Sequence, residues 1–303
     1  AILQTAANPY VTILGPIESA AKRISIMGIC NKIAGSIAPI ILGAIALKDV
    51  DALVENLKVM PAAQKIAELD LLSERVIFPY LIMMAILIVL AILIYFSTLP
   101  EVDTDQEDED LAVTNSKKTS IFQFPHLLLG ALALFLYVGV EVIAGDTVIS
   151  YGVAQGISFA NAKFFTTYTL IAMLVGYVIG IFCIPKYLSQ EKALRISAIV
   201  GLILGLGAIF SDGFVSVLCI SLLGLANALV WPAIWPLAIA GLGRFTKVGS
   251  SFLIMAIAGG AIMPLIYGYF ADLSSPQQAY WVVIPCYLFI LFFASSGYKI
   301  RRD

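Results

Sequence analysis

LLLGALALFLYVGVEVIAGDTVIS, residues 127–150, is the stretch whose reading decides the fold. A helix that crosses a bilayer needs roughly 20 predominantly apolar residues at about 1.5 Å each, and this run is long enough. Near its middle stands Glu141, and five residues further on stands Asp146. A carboxylate at the centre of a spanning helix costs about 2.5–3.5 kcal/mol on insertion scales, so such a group faces a cavity, an ion or a partner. Glu141 therefore has two readings. It is a protonated carboxyl held by a neighbouring helix, or it is a coupling or substrate group. Asp146 lies nearer the helix end, where hydration explains it.

The rest of the chain has the same character. Of 303 residues, 60% are hydrophobic and only 13% charged, whereas soluble domains are about a quarter charged. Charge is absent from long runs rather than diluted, which defines an all-α polytopic membrane protein. Cys30, Cys183, Cys219 and Cys286 lie in apolar runs without a CxxC spacing and read as small packing residues. His126, beside Pro125, reads as a solvated or interfacial histidine at a loop edge. No HExxH, nucleophile motif or cytoplasmic His/Asp pair is present, which argues against an integral membrane enzyme.

Nine spans are expected: 1–16, 24–47, 76–98, 127–150, 164–184, 196–211, 214–241, 250–271 and 279–298. The first is short and starts inside an apolar run, so the chain is expected to belong to a longer protein. Lys and Arg gather in alternate loops: Lys22 and Arg23, then Lys186, Lys192 and Arg195, then Arg244 and Lys247, then Lys299, Arg301 and Arg302. By the positive-inside rule these loops and the C-terminus are cytoplasmic. Residues 48–75 form an external loop in which VDALVENLKVM and AAQKIAELDLL carry apolar residues at helical spacing, predicting short amphipathic helices. EVDTDQEDEDL, 101–111, is an acidic run without aromatic residues and reads as a disordered cytoplasmic linker.

Several polar residues fall within spans. Asn31 and Lys32 stand in ISIMGICNKIAGSIAP. Lys32 can snorkel to the interface, pair with a carboxylate such as Glu141, or bond a polar ligand. Asn31 has no reach to snorkel, and amides offer both the donors and the acceptors that hydroxylated ligands require. Gln4 and Asn8, four apart, share a helix face and can also be interhelical bonding groups. In NALVWPAIWP, 227–236, Trp231 and Trp235 repeat at a spacing of four, with Asn227 one turn earlier. This is an aromatic face for a sugar with an amide for its hydroxyls, or a pair of tryptophans packed at the bundle interface. Gly176-x3-Gly180, Gly201-x3-Gly205-x-Gly207 and Gly259–Gly260 permit close helix contact.

TAANPYVTILGP (5–16) and GRFTKVGSSFLIMAIAGGAIMPLIYGYFAD (243–272) resemble the fucose permease and glucose/galactose transporter family of the major facilitator superfamily. YVGVE (137–141) is similar to the seventh helix of the glucose/galactose branch. GYVIGIFCIPKYLSQEKALR (176–195) resembles a degenerate form of the superfamily's loop between helices eight and nine. The resemblance implies twelve helices in two six-helix halves, of which this chain supplies helices four to twelve. Residues 1–98 are then the remainder of the N-terminal half, 99–126 the acidic linker, and 127–303 the C-terminal half. It further implies a secondary-active importer of a hexose-type sugar, glucose/galactose or fucose, by symport with H⁺ or Na⁺. The sugar would bind at the midplane between halves that rock to give alternating access. Fucose-type members carry a Glu, implicated in proton coupling, where Gln4 stands. Asn31 keeps a family polar position, and Lys32 departs from the fucose-type pattern.

The expected site comprises Asn31, Asn227, Trp231 and Trp235 for substrate, with Gln4, Asn8 and Lys32 in second rank and Glu141 for ion coupling. No metal, cofactor other than the coupling ion, or nucleic acid is expected. The expected setting is the bacterial inner membrane, as a monomer surrounded by lipid. A membrane sugar sensor that keeps the fold without transporting is the alternative.

Overall fold

A computed structural model of the chain describes residues 2–46, 60–97 and 118–300. Every regular element among them is helical. The chain forms two compact units, residues 1–29 with 102–303, and residues 30–101. Helix α1 covers Ile2–Ile13, and α2 covers Ala20–Ala46, beginning in the first unit and ending in the second.

The second unit also holds α3, Ala62–Tyr95, a single helix of 34 residues. The sequence suggested a separate amphipathic helix at 62–72 followed by a span. Nothing between Ala62 and Val76 breaks a helix, so the amphipathic turns run straight into the span. Residues 50–59 and the acidic run 101–111 lie outside the described residues.

In the first unit α4, Pro125–Asp146, is central. Pro125 opens it at the first turn, where no backbone N–H is needed. After α4 come α5 (Val148–Ala154), α6 (Phe165–Cys183), α7 (Gln190–Phe210), α8 (Gly213–Asn227) and α9 (Val230–Ile239). The last three are α10 (Thr246–Met255), α11 (Gly259–Leu273) and α12 (Val283–Ser295). Helix α4 packs against α8, α9, α11 and α12, and α7 against α8 and α12. Leu127, Leu134, Tyr137, Val140 and Ile143 supply its buried face.

Seven helical stretches among the described residues are long and apolar enough to cross a membrane. With α1 and α2 they follow the nine expected spans in order. Several of those spans are interrupted. The seventh stops at Asn227 and restarts at Val230 because Pro232 has no N–H for the Ala228 carbonyl. The eighth passes through a 3₁₀ turn at Ala256–Ala258. There Gly259 lets α11 cross α4 closely, since a Cβ on it would collide with the Phe135 carbonyl.

Long-range hydrogen bonds gather the loops at each end of this bundle. At one end Gln190 clasps the start of α2 to the segment before it, accepting from Ala21 N–H at 3.0 Å and donating to Ile17 C=O at 2.8 Å. At the same end His126 Nε2 donates to the Ala240 carbonyl at 2.9 Å, and Arg244 donates to Lys118 C=O at 2.8 Å. His126 is only 2% exposed, which corrects the reading of a solvated loop histidine. The first turn of α4 is covered by the end of α9, and the ring buries itself by meeting that carbonyl. Arg23, read as an orientation charge, donates to the carbonyls of Val11, Thr12 and Pro16 and so caps α1. At the opposite end Gln277 Nε2 donates to the carbonyls of Ala208, Ile209 and Ser211, and Gln155 joins Gln277, Tyr151 and Gly213 N–H.

Candidate functional site

The break between α8 and α9 builds the site. Trp231 and Trp235, one turn apart on α9, stack with ring centroids 5.7 Å apart at 22°. Their spacing of four puts both rings on one helix face, and the break turns that face towards α4. There Tyr137 tilts against Trp231 at 6.5 Å. Trp235 is fully buried, while Trp231 is half-buried. Trp231 is therefore the ring a ligand can reach, and Trp235 the ring that holds it in place.

Asn227 ends α8 and is fully buried, where it accepts a hydrogen bond at Oδ1 from the Tyr287 hydroxyl of α12 at 2.7 Å. Its Nδ2 has no partner among the described residues, and neither has Nε1 of Trp235. An unmet buried donor costs about 1–3 kcal/mol, so two on one short segment mark a place that expects an acceptor.

Glu141 is half-buried on α4. It interacts with the hydroxyl of Tyr137, one turn before it, and its charge is within range of the hydroxyls of Tyr177 and Tyr287. Tyr177, on α6, is buried against Met173, Ala228 and Ile29. Its ring lies over Gly28 of α2, where a Cβ would come within 2.8 Å of Cζ. Asp146 is the exposed last residue of α4.

The structure thus brings four of the expected residues, Asn227, Trp231, Trp235 and Glu141, into one cluster with three tyrosines the sequence reading missed. Tyr137 carried a signal, since it stands four residues before Glu141 on one helix. Tyr177 and Tyr287 carried none, because only tertiary packing brings them there. The other candidates stand on α1 and α2. Asn8 is buried in α1, which packs against α10, and its Nδ2 has no partner among the described residues. Gln4 lies one turn earlier on α1. Asn31 is exposed and Lys32 half-buried in the second unit. The cluster joins a partly exposed tryptophan, a carboxylate and an amide donor, a set suited to a small polyhydroxylated ligand.

The fold is that of a major facilitator transporter. The chain is similar to the crystal structure of the MFS transporter FucP in the outward conformation, with TM-score 0.80 and 28% identity over 96% of this chain and 72% of that one. No family model matches. Among curated proteins the chain is 35% identical over 301 residues to the glucose/galactose transporter of Brucella abortus, covering 98% of this chain and 68% of the relative. It is 30% identical over 307 residues to the putative glucose/galactose transporter of Helicobacter pylori, covering 99% and 72%. To the L-fucose-proton symporter of Escherichia coli it is 29% identical over 297 residues, covering 96% and 68%. The chain belongs to the glucose/galactose transporter family of the major facilitator superfamily, and is a multi-pass membrane protein and not an enzyme.

Proposed function

We propose that this protein imports a hexose-type sugar across the bacterial inner membrane by cation symport with alternating access. The observation that carries the reading is the Trp231 face beside the unmet Asn227 and Trp235 donors. The names of the relatives, glucose/galactose transporter and L-fucose-proton symporter, support a sugar substrate and make H⁺ the first cation to test. Trp231 stacks on the sugar's C–H face, Asn227 bonds a sugar hydroxyl, and Glu141 carries the coupling charge with Tyr137 beside it. Asn31 is a further candidate for a sugar hydroxyl, with Gln4, Asn8 and Lys32 in second rank. The end of the bundle that carries the Gln190 clasp is cytoplasmic, with the C-terminus inside.

The test is uptake of labelled glucose, galactose and fucose by the intact protein in liposomes, under imposed H⁺ or Na⁺ gradients. Accumulation of one sugar driven by one gradient is expected. Binding without uptake would replace transport by sensing, and no response to any of the three sugars would overturn the substrate class.

A further inference from the structure

The Asn227 amide is held from a helix whose sequence, VIPCYLFILFFAS, contains no motif for a polar ligand. Tyr287 of that helix is fully buried and its hydroxyl donates to Asn227 Oδ1 at 2.7 Å. A phenol that donates to the amide oxygen leaves both amide N–H groups to find an acceptor elsewhere. That is the condition of Asn227 Nδ2, which is buried without a partner among the described residues. The ring itself is accommodated on purpose. Gly201 of α7 faces it, and a Cβ on Gly201 would overlap the ring. Three helices thus cooperate to bring one phenol to one amide: α7 gives it room, α12 carries it, and α8 ends where it bonds.

We propose that Tyr287 is a positioning residue of the transport site. It fixes the Asn227 amide with its N–H₂ group turned to a hydroxyl oxygen of the sugar, and does not touch the sugar itself. The proposal rests on the reading of this cluster as a sugar site and adds the group that sets its hydrogen-bond polarity. Without Tyr287 the amide is free to rotate and present either end, so discrimination at that one sugar hydroxyl is lost along with affinity.

The experiment uses the intact protein in liposomes, reading binding by tryptophan fluorescence and transport by sugar counterflow. Glucose, galactose and fucose, and singly deoxygenated analogues of whichever binds, are the ligands. Tyr287→Phe is expected to raise KM about tenfold, the worth of one hydrogen bond. It should also lose the penalty that the wild-type protein shows against one deoxy analogue, leaving the penalties at the other positions unchanged. In an Asn227→Ala background Tyr287→Phe should have no further effect on KM. Gly201→Ala, which displaces the ring but keeps the hydroxyl, should weaken discrimination at the same sugar position. A role confined to helix packing would lower the melting temperature and leave the KM and the deoxy-sugar profile as they were. That result, or an equal effect of Tyr287→Phe with and without Asn227, overturns the proposal. Failure of the wild-type protein to bind any of the sugars would instead overturn the sugar reading on which it rests.

Discussion

Gly176→Ala tests whether the packing behind the site is as tight as it stands in the structure. Gly176 lies on α6, facing the point where α8 stops. A Cβ placed there would fall 2.5 Å from Cβ of Ala228 and 3.0 Å from the carbonyl oxygen of Leu225. The first distance is about 1 Å short of the 3.4 Å at which ordinary contact begins, and neither neighbour is the end of a flexible side chain. Relief must come from the helices moving apart, and overpacking of this kind costs about 1–3 kcal/mol. Gly268, in the middle of α11, is the control, because a Cβ there meets nothing within 4 Å. Alanine at 268 should be neutral or stabilising by up to about 1 kcal/mol, through the entropy that glycine loses in a helix.

The assay is thermal melting of the detergent-solubilised intact protein. Gly176→Ala should lower the midpoint by several degrees, since about 1 kcal/mol moves it by roughly 2–4 °C in chains of 150–250 residues. Adding Ala228→Gly removes the atom that is struck and should restore more than half of the loss. Asn227 precedes Ala228 directly, so the single variant should also bind sugar less well and the double variant should recover. A Gly176→Ala protein that melts with the wild type, or a double variant no better than the single, would refute the reasoning.

Three further outcomes are expected. Trp231→Ala should weaken sugar binding more than tenfold with normal membrane insertion, and Trp235→Ala should both weaken binding and lower the melting temperature, since it removes a fully buried ring; unchanged affinity in both would make the pair packing alone. Glu141→Gln should abolish gradient-driven accumulation while sparing sugar exchange, as counterflow in liposomes reads it; accumulation at the wild-type level would remove Glu141 from coupling, and loss of exchange as well would make it a ligand or a gate. Cysteines placed between Asp103 and Asp110 should react with impermeant thiol reagents only from the cytoplasmic side and one near Asp51 only from outside, and the reverse pattern would invert the orientation proposed from the Lys and Arg loops.

The fold was legible because a bilayer leaves few alternatives. Apolar runs such as Leu127–Ser150 must be helices, and the helices appear in the expected order. Breaks inside spans were not read from the sequence: Pro232 stood in view beside the tryptophans, but only the structure shows that the helix stops before it. The Trp231–Trp235 spacing stated its own geometry, since residues four apart lie on one face. Gly201 was visible as a small residue, yet the sequence could not say that a phenol 86 positions further along fills its place. Arg23 counted as a topological charge and turned out to cap a helix as well. His126 looked hydrated because the carbonyl that receives it, at Ala240, is 114 residues away.

Polar residue type alone could not have located the site, because most polar side chains in these spans have local work. Thr147 bonds the Ile143 carbonyl, Thr169 that of Phe165, Ser221 that of Val217 and Ser25 that of Ala21, each four residues back on its own helix. Such groups satisfy themselves and have no need of a ligand. Others, Gln190 at one end and Gln155 with Gln277 at the other, tie loops together where helices end. Asn227 and Trp235 fit neither pattern. They are fully buried, and each keeps a donor unmet among the described residues. In a hydrocarbon setting a cost of about 1–3 kcal/mol for each such group persists only where something offsets it. A ligand oxygen arriving beside the α8–α9 break would offset the cost at Asn227. The unmet donors therefore support the sugar site proposed there alongside the tryptophan pair, although Asn8, on α1, keeps an unmet donor too.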